Sequence, residues 1–144
     1  MADDLTRLAA DLSAAPRESW PFVAKAVEVT ARNIKDDWSD NLGGNRNSGS
    51  AFKHVGRSVD YTMGVTGSSL AAFALSGSAG GTGIQAEIGP NLGRLQGAMA
   101  GWFEEGQSNI PALHPGYDAM KANEADFERG LAKAVDDGLR AAGL

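Results

Sequence analysis

Residues 102–131 read WFEEGQSNIPALHPGYDAMKANEADFERGL, and the fold turns on how this stretch is divided. Its second half opens a helical pattern in which Tyr117, Met120, Phe127, Leu131, Val135 and Leu139 recur at intervals that place them on one face. That stripe predicts a long C-terminal helix running to about Ala142, with these larger residues turned inward. Gly130 and Gly138 either thin the helix or allow something to pack closely against it. Before it, Gly106 to Pro115 holds two prolines and reads as a rigid loop. Residues 93–105 read as a short helix or helical turn weakened by Gly97 and Gly101. Glu104 and Glu105 are expected to form an acidic rim there, and Trp102 is expected in the core with Trp20 and Trp38.

Working outward toward the N-terminus, the next elements read as strands. Residues 58–66 (SVDYTMGVT) alternate Val59, Tyr61, Met63 and Val65 with smaller or polar neighbours, the period-two signature of a half-buried strand. Ile84, Ala86 and Ile88 alternate in the same way with Gln85 and Glu87, and Gly89-Pro90 ends the run. Between them residues 70–75 (LAAFAL) are apolar throughout, and their position favours a third strand. The expected unit is an antiparallel three-stranded β-meander with a helical layer on its apolar face. Residues 43–57 (GGNRNSGSAFKHVGR) read as a flexible basic loop, with Phe52 and Val55 available to tack it to the body.

The N-terminal part is helical. Leu5, Leu8 and Leu12 share helical spacing after a candidate cap at Asp3 or Asp4, and Ser13-Ala14-Ala15-Pro16 is expected to interrupt that turn. Trp20, Val23, Ala24, Val27, Ala31, Ile34, Trp38 and Leu42 then form one continuous apolar stripe, ended by Gly43-Gly44. The fold class is therefore α+β: a long N-terminal helix, a meander, a short helix and a long C-terminal helix packed on one face of the sheet. At 144 residues this makes a single domain.

The net charge of −5 and pI near 4.9 argue against a module that grips nucleic acid through its phosphates. Charge is unevenly spread: residues 1–43 carry eight acidic and five basic side chains, and residues 104–144 carry eight and four. The middle has Asp60 and Glu87 against Arg46, Lys53, Arg57 and Arg94, so acidic ends flank a mildly basic centre. Such a distribution suits docking between subunits as well as ordinary solvated faces. The absence of cysteine excludes disulfides, thiolate metal sites and a cysteine nucleophile. No apolar run approaches the ~20 residues of a membrane helix, and a soluble compartment is expected.

Chemistry has little to stand on. Glycines at 77, 80, 81 and 83 lack the lysine and following helix of a phosphate loop, and read as a turn between strands. His54 sits in a loop without acidic neighbours. His114 lies between Pro111 and Pro115 with Glu104 and Glu105 some ten residues earlier, which is not a ligand set for a metal. Adjacent glutamates on a helix diverge, so Glu104 and Glu105 suit a surface better than a shared acid–base pocket. No catalytic residue, cofactor or metal is assigned, and a non-enzyme is expected. A small enzyme or ligand-binding domain using His114 and the two glutamates is the alternative from another class.

Trp102-Phe103-Glu104-Glu105-Gly106, followed by Ile110-Pro111-Ala112-Leu113-His114-Pro115 and Tyr117-Asp118-Ala119-Met120, resembles a block of the HK-ninety-seven gene-product-ten-like tail components of long-tailed phages, similar in turn to lambda's minor tail protein Z. Ile88-Gly89-Pro90 looks like the close of that family's last strand, and Glu105 stands where the family has a second aromatic residue. The resemblance implies a structural virion protein of the head–tail junction, assembled in the host cytoplasm, that completes the tail and joins it to the head. A tail terminator that caps tube polymerisation is the related alternative. Its implied partners are further copies in a ring of about six, head-closure or connector proteins, tail-tube or terminator proteins, and genomic DNA passing through the lumen without specific binding, with no membrane partner. Arg46, Lys53, Arg57, Glu104, Glu105 and His114 are the candidate subunit or partner contacts.

Overall fold

The computed structural model describes residues 2–43, 54–66 and 83–144. The fold is mostly helical, with a long helix at each end and a two-stranded antiparallel sheet between them. In order the elements are α1 (Ala2–Gly43), a 3-10 turn (Gly56–Ser58), β1 (Val59–Thr66), β2 (Gly83–Pro90), a second 3-10 turn (Gly97–Met99), α2 (Ala100–Glu105) and α3 (Pro115–Ala141).

Helix α1 departs from its sequence reading in two ways. It begins at Ala2, so Asp3 and Asp4 lie within its first turn, and it runs unbroken through Pro16 and Pro21. Each proline removes one amide donor from the helical ladder. Both prolines are exposed, so water can reach the backbone they disturb, and the buried residues on the opposite side hold the helix together. The predicted stripe is confirmed: Ala31, Ile34 and Leu42 are buried, and Trp20, Val23, Ala24, Val27 and Trp38 are partly buried. Leu5, Leu8 and Leu12 share their spacing but are exposed.

Strands β1 and β2 occupy the outer two positions expected of the meander, and they are hydrogen-bonded directly to each other. Two strands that each keep an alternating apolar face can satisfy one another's backbone groups without an intervening strand. The alternation is visible in β2, where Gln85 and Glu87 are exposed between partly buried Ile84, Ala86 and Ile88. The expected middle strand, 70–75, lies outside the described residues, as does the segment 44–53 of the basic loop.

The chain divides into two compact units, and both long helices and both strands contribute to each. One unit comprises residues 30–43, 54–62 and 86–125. Its core is Leu42, Val55, Val59, Ala100 and Phe103, with Trp38, Ile88, Met99 and Ile110 packed around them. Burying a side chain of this size stabilises by ~1.5–3 kcal/mol, so these few residues hold the unit. Val55 does tack the basic loop down, being almost wholly buried at the head of the first 3-10 turn. Ser39 donates a hydrogen bond to the Gly56 carbonyl at 2.7 Å, and the buried Ser58 hydroxyl donates to the Val55 carbonyl at 2.6 Å.

The other unit comprises residues 2–29, 63–66, 83–85 and 126–144. Here α1 and α3 lie antiparallel, with Gly138 against Ser19, Gly130 against Ala26 and Gly143 near Asp11. A Cβ on Gly138 would run into both the backbone and the side chain of Ser19, so glycine is required by the close approach.

The inward face of α3 corrects the sequence reading. In the first unit its buried residues are Pro115, Gly116, Ala119 and Asn123, and in the second they are Ala134 and Gly138. Of the larger residues expected inside, Phe127, Leu131 and Leu139 are partly buried, whereas Tyr117, Met120 and Val135 are 58%, 59% and 46% exposed. Gly116, Ala119 and Asn123, and again Ala134 and Gly138, recur at three- and four-residue spacing with partly buried Phe127, Gly130 and Leu131 between them, and a helix that turns small residues inward can approach a neighbouring helix closely. Near Gly116 the neighbour is the Trp38 ring, which a Cβ there would meet at 2.6 Å.

Candidate assembly surface

The six candidate contact residues fall in different settings. Arg46 and Lys53 lie outside the described residues. Arg57 and Glu105 are exposed. Glu104 and His114 turn out to build the start of α3.

Helix α2 buries Ala100 and Phe103 on one side, which turns Trp102 and Glu105 outward and leaves Glu104 half-buried. Trp102 is thus not the core residue that its pattern predicts, because α2 is six residues long and only one of its sides faces the core. Gly106 ends the helix with a positive φ of 81° and donates its amide to the Trp102 carbonyl at 2.9 Å. The loop then folds back. Gln107 and Ile110 exchange backbone hydrogen bonds of 2.7 and 2.8 Å, and the Leu113 amide donates to the Phe103 carbonyl at 2.8 Å.

This return brings the loop's end under α2. His114 adopts a positive φ of 50°, a region that non-glycine residues seldom enter, and Pro115 takes the first helical position, where its missing amide costs nothing. The His114 carbonyl accepts the Asp118 amide at 3.0 Å, which makes His114 the capping residue by position. Its own side chain supplies no cap. Glu104 does so instead: its carboxylate accepts the Gly116 amide at 2.9 Å and the Tyr117 amide at 3.2 Å. A carboxylate that answers two first-turn amides also faces the positive end of the helix dipole. The predicted acidic rim therefore divides, with Glu104 engaged inside the molecule and Glu105 left on the surface. Asn41 secures the same corner by donating to the Pro115 carbonyl at 3.1 Å.

A second exposed region of the same unit follows β2. The Asn91 amide donates to the Ser58 carbonyl at 2.7 Å, and the Asn91 side chain accepts the Gly93 amide at 2.9 Å. Arg94 reaches back to the Arg57 carbonyl at 3.2 Å and to the Asp60 carboxylate at 2.7 Å. Gln96, with a positive φ of 63°, accepts the His54 amide at 3.0 Å through its side chain. These bonds leave Leu92 and Leu95 on the outside, 75% and 70% exposed. Beside the turn, an open recess of about 350 Å³ is lined by Asp60, Thr62, Glu87, Pro90 and neighbouring backbone. Its Asp60 carboxylate already answers Arg94, and the lining brings together no nucleophile–base pair.

Two further pairings escape the sequence. Arg94 and Asp60 are far apart in the chain, and no local pattern announces them. Buried Asn123 donates to the Asp37 carboxylate at 2.6 Å and to the Ala119 carbonyl at 2.9 Å. Its place in the small-residue stripe of α3 is the signal that could have found it. Among the described residues no group of three or more His, Cys, Asp or Glu side chains is arranged to hold a metal ion. No helix among them is long and apolar enough to cross a membrane. No family model matches the chain, and no curated protein or solved structure does either.

Proposed function

We propose that the protein is a structural component of the head–tail junction of a long-tailed phage, a non-enzymatic subunit that assembles into a ring and completes the tail for joining to the head. The observation that carries this reading is the corner built by residues 102–120. The Glu104 carboxylate there is engaged in starting α3, while Trp102, Leu113, Tyr117 and Met120 are presented outward. Exposed apolar side chains on a rigid frame suit a contact surface. The resemblance of this same block to the phage tail components supplies the setting. In this reading Arg57 and Glu105 serve subunit contacts, and Arg46 and Lys53 belong to a loop that meets a neighbouring protein. The finer architecture belongs to it too: residues 70–75 add a third strand to the sheet, and protection of their amides from hydrogen exchange tests that.

The decisive experiment removes the protein from a phage that encodes it and images the particles. Tails of normal length without attached heads are expected. Overlong tails would point to a terminator instead, and complete particles would overturn the proposal.

A further inference from the structure

The side of α1 that meets α3 continues beyond the contact between them. In the unit built from residues 2–29, 63–66, 83–85 and 126–144, α3 lies against α1 at Ala26, Ser19 and Asp11, through Gly130, Gly138 and Gly143. Leu8, Ala15, Ser19 and Ala26 follow one another at seven- and four-residue intervals, so Leu8 lies on the side that meets α3. Leu5 and Leu12 are three and four residues from it and adjoin it on the helix surface. Ala15 is buried, whereas Leu5, Leu8 and Leu12 are 69%, 45% and 54% exposed. At the helical rise they form one apolar patch about 10 Å long.

Reach, polarity and size decide what covers such a patch. Strand β1 ends at Thr66 and β2 begins at Gly83, at the same end of an antiparallel pair and in the same unit as the leucines. The chain between them, residues 67–82 (GSSLAAFALSGSAGGT), lies outside the described residues. It leaves and returns at one end of the strand pair, and half its length can extend up to about 26 Å. It carries no charged side chain, and its large residues are Leu70, Phe73 and Leu75. That composition is the opposite of the charged, weakly hydrophobic sequence that stays in water. Residues 44–53 suit the patch less well, having Arg46, Lys53 and a single large apolar residue, Phe52. A second copy suits it less too, because three leucines offer far less than the ~1,200 Å² that a stable pair of proteins buries.

We infer that residues 67–82 pack Phe73 onto the Leu5–Leu8–Leu12 patch of α1. Phe73 shares a side with Leu70 in a helix and with Leu75 in a strand, so it is the anchor in either conformation. The contact is therefore independent of the third strand and of the phage role proposed above.

Because the chain has no cysteine, a pair introduced into the full-length protein reports this contact alone. Cysteines whose Cα atoms are more than about 7 Å apart cannot be bridged without backbone movement. Under mild oxidation at micromolar concentration, Leu8→Cys with Phe73→Cys is expected to close an intrachain disulfide in most molecules, read by mass spectrometry of the digested chain. Phe73→Cys with Val135→Cys, an exposed position on α3 in the same unit, is expected to close ~10-fold more slowly. Urea unfolding gives a second reading that needs no cysteine. Leu8→Ala and Phe73→Ala are each expected to raise the unfolding constant ~5-fold, and the double variant to raise it little further. Faster closure at Val135, disulfides formed only between chains, or fully additive effects on unfolding would each overturn the inference.

Discussion

The two long helices solve the same problem with opposite side chains. Helix α1 buries the large residues Ile34 and Leu42, and Trp38 in part, beside the smaller Ala15 and Ala31. Helix α3 buries Gly116, Ala119, Asn123, Ala134 and Gly138, covers Phe127, Leu131 and Leu139 only in part, and turns Tyr117, Met120 and Val135 to solvent. The difference follows from what each must accommodate. A face that contributes to a core needs volume, whereas a face laid closely against another helix needs room for that helix's side chains and backbone. Gly116 under the Trp38 ring shows the two solutions meeting at one contact.

Substitutions can break this contrast in graded steps. The largest effect is expected on the voluminous face: Leu42→Ala empties part of the core and costs ~2–5 kcal/mol in urea denaturation. On the small face enlargement does the harm, and Ala119→Leu is expected to lose ~1–3 kcal/mol by overpacking, read as a lower thermal midpoint. Glu104→Ala removes the start of α3 at a cost of ~1 kcal/mol, and hydrogen exchange at the Gly116 and Tyr117 amides should quicken. The smallest effect has the opposite sign. Gly130 would place a Cβ 3.9 Å from Ala26, an ordinary contact, so Gly130→Ala is expected to stabilise by ~0.5–1 kcal/mol through helix propensity. The same change at Gly138 should destabilise, because Ser19 occupies the space.

The sequence makes both helices legible because each carries a sustained three-and-four periodicity. It also reveals β1 and β2 through their alternation, and the tack at Val55. It misleads at α3 because periodicity counts large apolar residues, and Tyr117, Met120 and Val135 mark a face without saying whether that face is covered. The glycines at 130 and 138 held the correct clue, the possibility of close packing, but a glycine also reads as a weak point in a helix. Pro16 misleads in the other direction: a local breaker is overridden by packing on the far side of the same helix. At the candidate site, Glu105 and Arg57 are surface groups as their types suggest. The role of Glu104 is invisible in the sequence because it depends on the loop 106–114 folding back, through bonds made by backbone atoms that carry no sequence signature.

The orientation of α3 decides which of its apolar residues are left exposed. Ala134 and Val135 are neighbours in the chain, one buried and the other 46% exposed. Urea unfolding of Ala134→Lys beside Val135→Lys reads that orientation directly. Val135→Lys is expected to stay within about 0.5 kcal/mol of wild type, while Ala134→Lys loses ~3 kcal/mol or more by burying an unpaired charge. The reverse ranking, with Val135→Lys the damaging change, would mean that the side of α3 carrying Val135 faces inward and would contradict this orientation.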